Sequence, residues 1–261
     1  MLSCYRVDAF TNKIFGGNTA CVIPLENWLS DSQMLQLAGE NNVAETAFFI
    51  SAGDGFHIRW FTPEIEMDLC GHATLAAAHV IKRHVGFQKS EIHFSSASGP
   101  LKVMIRDDQY ILDFPSRPPA PTAPPELITR SLNIQPAEVL KARDYLLIYE
   151  NEEQVYQINP DKTIMDQINI DPGGVIVTAP GKKVDFVSRF FTPQASLFED
   201  PVTGSAHCSL VPFWSQRLKK KSLHAWQISA RKGELFCTDQ GDRVLIGGHA
   251  VTFSHGVIDG I

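Results

Sequence analysis

The sequence predicts an α/β (α+β) protein built from two similar halves. Three observations carry that expectation: strand-like and helix-like stretches alternate, a short block recurs at half the chain length, and a proline-rich stretch falls near mid-chain. The chain has 261 residues, 44% hydrophobic and 20% charged, which is enough apolar material for a sizeable core in one large or two small domains. Twenty-three basic against 29 acidic residues leave a net charge of -6, and no basic run exceeds the short Lys219-Lys220-Lys221. That balance argues against a nucleic-acid or anionic-membrane partner. No apolar run approaches bilayer length, and Arg6 and Asp8 interrupt the first ten residues, so a soluble, cytoplasmic protein with no membrane partner is expected. The five cysteines (Cys4, Cys21, Cys70, Cys208 and Cys237) are scattered singly with no C-x-x-C pair, which suits a reducing compartment and gives no zinc-site spacing.

Apolar alternation predicts strands at Cys4–Asp8, Ala20–Ile23, Ala47–Ile50, His57–Phe61 and Ile92–Phe94, with helices over Asp31–Gly39 and Thr74–Lys82. In the second half, helical patterning covers Pro136–Arg143, Pro160–Ile168 and Ser205–Leu218. Strands are expected near Tyr145–Ile148, Val175–Thr178, Val184–Phe191, Trp226–Ala230 and Arg243–Gly247. Between the halves, Ser116 to Pro125 holds five prolines in ten residues, which favours extended backbone and argues against a ladder or helix there. The expected division is a domain over 1–117, a linker over 118–125 and a domain over 126–261.

Arg59-Trp60-Phe61-Thr62-Pro63 recurs as Arg189-Phe190-Phe191-Thr192-Pro193, and Gly71-His72-Ala73 is echoed by Gly204-Ser205-Ala206. Two ordered blocks at nearly one spacing indicate internal duplication with a three-residue insertion in the second copy. In each copy a strand ending in Phe-Thr-Pro leads through a loop to a helix start, whose free N–H groups face whatever lies ahead of it. Two such starts related by a pseudo-two-fold would frame a cleft for a carboxylate-bearing small molecule.

Glu45 is the only charge in Asn41-Asn42-Val43-Ala44-Glu45-Thr46-Ala47-Phe48-Phe49-Ile50. Poor solvation there would raise its pKa into the range useful for proton transfer, whereas a strand-end glutamate turned to solvent is the commoner outcome of such a pattern. His72, at a helix start, is favoured as a neutral hydrogen-bonding imidazole, although a structural histidine fits equally. Asp200 is either a site carboxylate or a cap for the second helix. Ser205 stands at the position of His72, with either a site role or a local hydroxyl contact. Cys70, at the mouth of the first helix, invites a nucleophile or base role, but its counterpart is Thr203 and a buried inert thiol is the plainer reading. His79 and His207 read as helix residues outside the chemistry, and Cys4, Cys21 and Cys237 as core.

Taken together, these residues resemble the phenazine-biosynthesis PhzF-like family, of the diaminopimelate epimerase-like fold, over essentially the whole chain. The resemblance rests on Val7-Asp8-Ala9-Phe10-Thr11, Gly17-Asn18, Glu45-Thr46-Ala47-Phe48 and Gly71-His72-Ala73-Thr74, and in the second half on the Arg189 block and Glu199-Asp200-Pro201-Val202-Thr203-Gly204-Ser205-Ala206. It implies two domains, each a curled mixed sheet around a central helix, with the last strand, around Val251–Ile258, crossing back to the first. It also implies a cofactor-independent isomerase and a homodimer. Glu45 is then the proton-carrying acid/base, with His72, Asp200 and Ser205 as further catalytic positions. Asn18, Gly71, Ala73, Thr203 and Gly204 are expected to contact substrate. No cofactor or metal is expected. Two departures stand out: Thr19 where the family has proline, and Cys70 where alanine is commoner.

The leading expectation is an isomerase moving a proton between carbons of a small carboxylate-bearing substrate, because one carboxylate with no duplicated partner favours one-base chemistry. The alternatives are a cysteine-type racemase or epimerase using Cys70, and a small-molecule binding protein with a degenerate site.

Overall fold

The computed structural model describes residues 1–170 and 173–261. The chain divides into two units, Met1–Asp113 with Gly247–Ile261, and Phe114–Ile246. In chain order the first stretch carries β1 (Leu2–Ala9), β2 (Asn18–Pro24), α1 (Asp31–Asn41), β3 (Glu45–Ala52), β4 (Gly55–Phe61), β5 (Glu66–Met67), α2 (Gly71–Arg83), β6 (Glu91–Ser96), β7 (Gly99–Arg106) and β8 (Gln109–Pro115). There follow β9 (Ala120–Pro121), α3 (Glu126–Ser131), β10 (Glu138–Lys141), β11 (Tyr145–Ile148), α4 (Glu152–Gln157), α5 (Lys162–Met165), β12 (Val175–Pro180), β13 (Phe186–Phe191), β14 (Glu199–Asp200), α6 (His207–Leu218), β15 (Ser222–Gln227), β16 (Gly233–Asp239), β17 (Arg243–Gly248) and β18 (Ala250–Ile258).

In the first unit the sheet is mixed. β1 pairs antiparallel with both β18 and β2, β2 runs parallel to β3, β3 antiparallel to β4, β4 parallel to β6, and β6 antiparallel to β7. This sheet curls around α2, which packs on β1, β2, β3 and β18. Ten consecutive α2 residues, His72 to Ile81, are buried, which explains its run of alanines: a helix enclosed on every side has no room for long side chains.

The second unit repeats the pattern. β10 and β11 are antiparallel, β11 and β12 parallel, β12 and β13 antiparallel, β13 and β15 parallel, and β15 and β16 antiparallel. α6 takes the place of α2 and packs on β15 and β16. The duplicated arginine has the same work in both copies. Arg59 holds both carboxylate oxygens of Glu66 on β5, and Arg189 holds both of Glu199 on β14. Glu66 lies opposite Phe61 and Glu199 opposite Phe191, so the three-residue insertion falls in the loop between Pro193 and Glu199.

Three local expectations are corrected. Pro136–Arg143 is not helical: Glu138–Lys141 is a strand between β9 and β11, because only Leu140 finds an apolar environment there and pairing satisfies the backbone on both sides. Pro160–Ile168 contains a single helical turn, Lys162–Met165, capped by the Asp161 carboxylate. The proline-rich stretch does enter a ladder, since Ala120–Pro121 pairs with Leu140–Lys141. Pro121 gives no N–H, but a two-residue strand needs little, and the next N–H, of Thr122, bonds Val139 O. Within α6, Pro212 removes a helical donor, and the Cys208 carbonyl left over accepts the Arg117 N–H instead at 2.9 Å.

Leu75 is fully buried in α2, where the enclosed helix gives a cavity little chance to collapse. Leu75→Ala is expected to cost about 2–5 kcal/mol, measured as a lower urea midpoint at unchanged slope.

Candidate active site

Because β2 and β3 run parallel with Ala20 beside Glu45, their first residues, Asn18 and Glu45, lie at the same end of the sheet. Each is fixed by the turn before it. Asn42 ends α1 in the left-handed region at φ 47°, its N–H bonding Ala38 O, and the chain re-enters the sheet at Glu45. Gly17 has φ +62°, and a Cβ there would sit 2.0 Å from Ala9 O, so only glycine leads into Asn18. Thr19 donates its hydroxyl to Asp8 Oδ1, and the buried Asp8 also accepts the Phe15 N–H. The absent proline is thus replaced by a hydrogen bond that ties the same loop.

α2 packs on β2 and β3, and its first turn brings His72 to these two residues. Asn18 Nδ2 lies 3.3 Å from His72 Nδ1, Cys70 Sγ lies 3.5 Å from the same nitrogen, and Glu45 Oε2 lies 3.2 Å from Nε2. An amide nitrogen only donates, so Nδ1 accepts and the ring proton resides on Nε2, on the Glu45 side. An ion pair would require a charged imidazole. Burial instead pushes His72 down to about 3, so the ring is neutral across the physiological range. The 3.2 Å approach is not aligned as a hydrogen bond, which leaves the carboxyl and the ring proton adjacent rather than locked together. The first intrahelical bond runs from Thr74 N–H to Cys70 O, so the N–H groups of Gly71, His72 and Ala73 stand ahead of the ladder. The Ala73 side chain itself is buried.

Glu45, Cys70 and His72 each place one ligand atom within 4.8 Å of the others. That donor set suits a soft divalent cation in composition. Cys70 lies nearer Nδ1 of His72 and Glu45 nearer Nε2.

In the second unit, Asp200 closes β14 and its Oδ2 accepts the Thr203 hydroxyl. The Thr203 N–H bonds Gln227 Oε1 at 2.8 Å, and Gln227 Nε2 bonds Asp200 O at 2.8 Å. Gln227, fully buried at the end of β15, was not expected from the sequence, since a lone glutamine closing an apolar strand gives no signal. Gly204-Ser205-Ala206 forms a tight turn with i to i+3 bonds, and α6 begins at His207 rather than at Ser205. Ser205 is half-buried at that turn. His207 donates Nδ1–H to Thr203 O at 2.9 Å, and burial pushes it down to about 4. The structure therefore brings Asn18, Glu45, Cys70 and His72 together in one unit, and Asp200, Thr203 and Gln227 together in the other.

A mixed sheet curled on a central helix, repeated in each unit, is the diaminopimelate epimerase-like fold. The chain belongs to the phenazine biosynthesis-like family, PhzF, whose family model matches residues 7–256. It is 47% identical over 258 residues to an uncharacterized isomerase of Pseudomonas aeruginosa, covering 98% of each chain. A solved PhzF-family protein from Enterococcus faecalis superposes with a TM-score of 0.94 at 43% identity, again covering 98% of each. A hydroxyproline epimerase from Agrobacterium vitis shares the fold alone, with a TM-score of 0.61 at 11% identity, covering 98% of this chain and 91% of that one.

His72, His79 and His207 are pushed down to about 3, 4 and 4 by burial. A folded pKa below the unfolded value near 6.5 means that the unfolded chain binds more protons as pH falls. Stability should therefore drop between about pH 6.5 and pH 4, each histidine contributing about 1.4 kcal/mol per pH unit once the unfolded form is protonated. Urea unfolding at pH 7 and pH 5 checks this, and equal stability at both would contradict it.

Proposed function

We propose that the protein moves a proton between carbons of a small carboxylate-bearing substrate without a cofactor, with Glu45 as the acid/base. The observation that carries this reading is the 3.2 Å approach of Glu45 Oε2 to Nε2 of a buried, neutral His72. A neutral imidazole adds no counter-charge to the carboxylate. Its Nε2–H can support the ionised carboxylate and still let it accept and return a proton. Helix N–H groups ahead of the α2 ladder suit developing enolate-like charge on the substrate. Register supports one-base chemistry: Thr46 faces Phe61 and Val175 faces Phe191, so the position matching Glu45 in the second unit is Gly174, which has no side chain to serve as a second base. Asp200 and Ser205 are assigned substrate-positioning roles in this reading.

A second reading, racemisation or epimerisation through Cys70, draws on the 3.5 Å contact of its thiol with His72 Nδ1. The matching residue Thr203 gives its hydroxyl to Asp200, so no second thiol stands there.

Solvent-deuterium incorporation into a panel of small cyclic and amino-acid carboxylates separates the two. Glu45→Gln should abolish exchange, by about 10²-fold or more, while ligand binding persists. His72→Ala and Ser205→Ala should slow exchange less completely. Exchange lost in Cys70→Ala but retained in Glu45→Gln would reverse the assignment.

A further inference from the structure

β18 (Ala250–Ile258) borders the sheet of the first unit. It ladders to β1, which gives its other edge to β2, and the elements packed on β18 are β1 and α2. A strand paired along both edges, with one face on the core, buries every second residue. Phe253 to Val257 are instead five exposed residues in a row, so the edge away from β1 is open. Edge strands are ordinarily blunted by charge or proline, but none of the nine β18 residues is Asp, Glu, Lys, Arg or Pro, in a chain that is 20% charged. A register shift opposite Arg6 and Val7 leaves Phe253 out of the ladder, with its ring 5.6 Å from that of Phe15. Ile14, Phe15, Phe253 and Val257 are all exposed, which puts apolar surface beside an unblunted edge.

We propose that this edge is a self-association surface, where β18 of a second copy of the chain pairs antiparallel about a two-fold axis at Gly256. The regular part of the strand, Ser254 to Ile258, is matched residue by residue with Leu2 to Arg6, and Gly256 is its midpoint. Antiparallel pairing about that midpoint is self-complementary: Ser254 meets Ile258 of the second copy, His255 meets Val257, and Gly256 meets itself. Gly256 is also a glycine that its own chain does not require. It has no positive φ, and nothing lies within 4 Å of where its Cβ would be. A glycine inside a strand weakens it and marks a place where another backbone comes close. Its missing side chain also leaves Cys4, the residue opposite, only half-buried rather than in the core as expected.

Charge favours a second copy as the occupant. Each chain carries a net charge of -6, so two copies repel over most of their surfaces, and an uncharged strand is where they approach at least cost. A partner selected by charge would find nothing on β18 to pair with. Joining the two strands satisfies the open N–H and C=O groups of both and carries the sheet of one first unit into that of the other. Five backbone pairs alone make a small contact, and the exposed Ile14, Phe15, Phe253 and Val257 supply the apolar area around it.

Sedimentation velocity on the full chain, from about 1 to 50 μM, should show a reversible dimer of the 29.0 kDa chain. Val257→Lys puts a charge on the open edge and should raise the dimer dissociation constant about 10-fold or more, with an unchanged far-UV circular dichroism spectrum showing that the fold survives. Ile65→Lys, at a comparably exposed residue before β5, should leave association unchanged. The axis is tested by Gly256→Cys in a Cys4→Ala background, so that Cys4 cannot capture the new thiol. Directly opposed residues have Cα atoms about 4.5–5.5 Å apart, within the reach of a disulfide, so mild oxidation should give a covalent dimer on a non-reducing gel. Gly241→Cys in the same background, at an open turn, should not. A monomer at every concentration, an association constant unmoved by Val257→Lys, or no cross-link through position 256 would each overturn the proposal.

Discussion

The enclosure of α2 within the sheet of its own unit is the constraint on which the candidate chemistry depends. Because His72 begins the buried run, its ring sits where protonation is costly, and burial holds it down to about 3. Asn18 then fixes the ring tautomer from one side, and Glu45 meets the remaining N–H from the other. A solvent-exposed histidine at the same sequence position would be charged over part of the neutral range and would pin the carboxylate as an ion pair. Neutrality and proximity together come from packing, since nothing in the spacing of residues 18, 45 and 72 dictates either.

Duplication explains both what the two units share and where they part. Arg59 with Glu66 and Arg189 with Glu199 are the same clamp on the same register, and each fastens the short strand that precedes a central helix. Past that clamp the copies diverge. Glu45 is matched by Gly174, Cys70 by Thr203 and His72 by Ser205, and the second unit spends its polar groups on holding a loop. Asp200, Thr203 and Gln227 bond one another there. A buried glutamine that satisfies three partners of one loop restrains it at modest cost, whereas leaving any of those groups unpaired would be expensive.

Strand-pair geometry positions the candidate site of the first unit. Parallel β2 and β3 place Asn18 and Glu45 at one end of the sheet. Burial beneath the helix start then keeps the His72 ring neutral beside Glu45.

The sequence by itself determined the duplication, the alternating elements of each half, and the identity of Glu45, His72 and Asp200 as residues worth following, because hydrophobic period, repeated blocks and helix-start glycines are local properties of the chain. It misread Glu138–Lys141 as helical and the proline-rich stretch as unpaired, because which neighbour supplies a strand's missing hydrogen bonds is not written in four residues. Tertiary structure alone decided the tautomer and charge state of His72 and the recruitment of Gln227. Each of these depends on groups that lie tens of residues apart meeting in a low-dielectric interior, where contact and desolvation, rather than sequence spacing, fix where a proton resides.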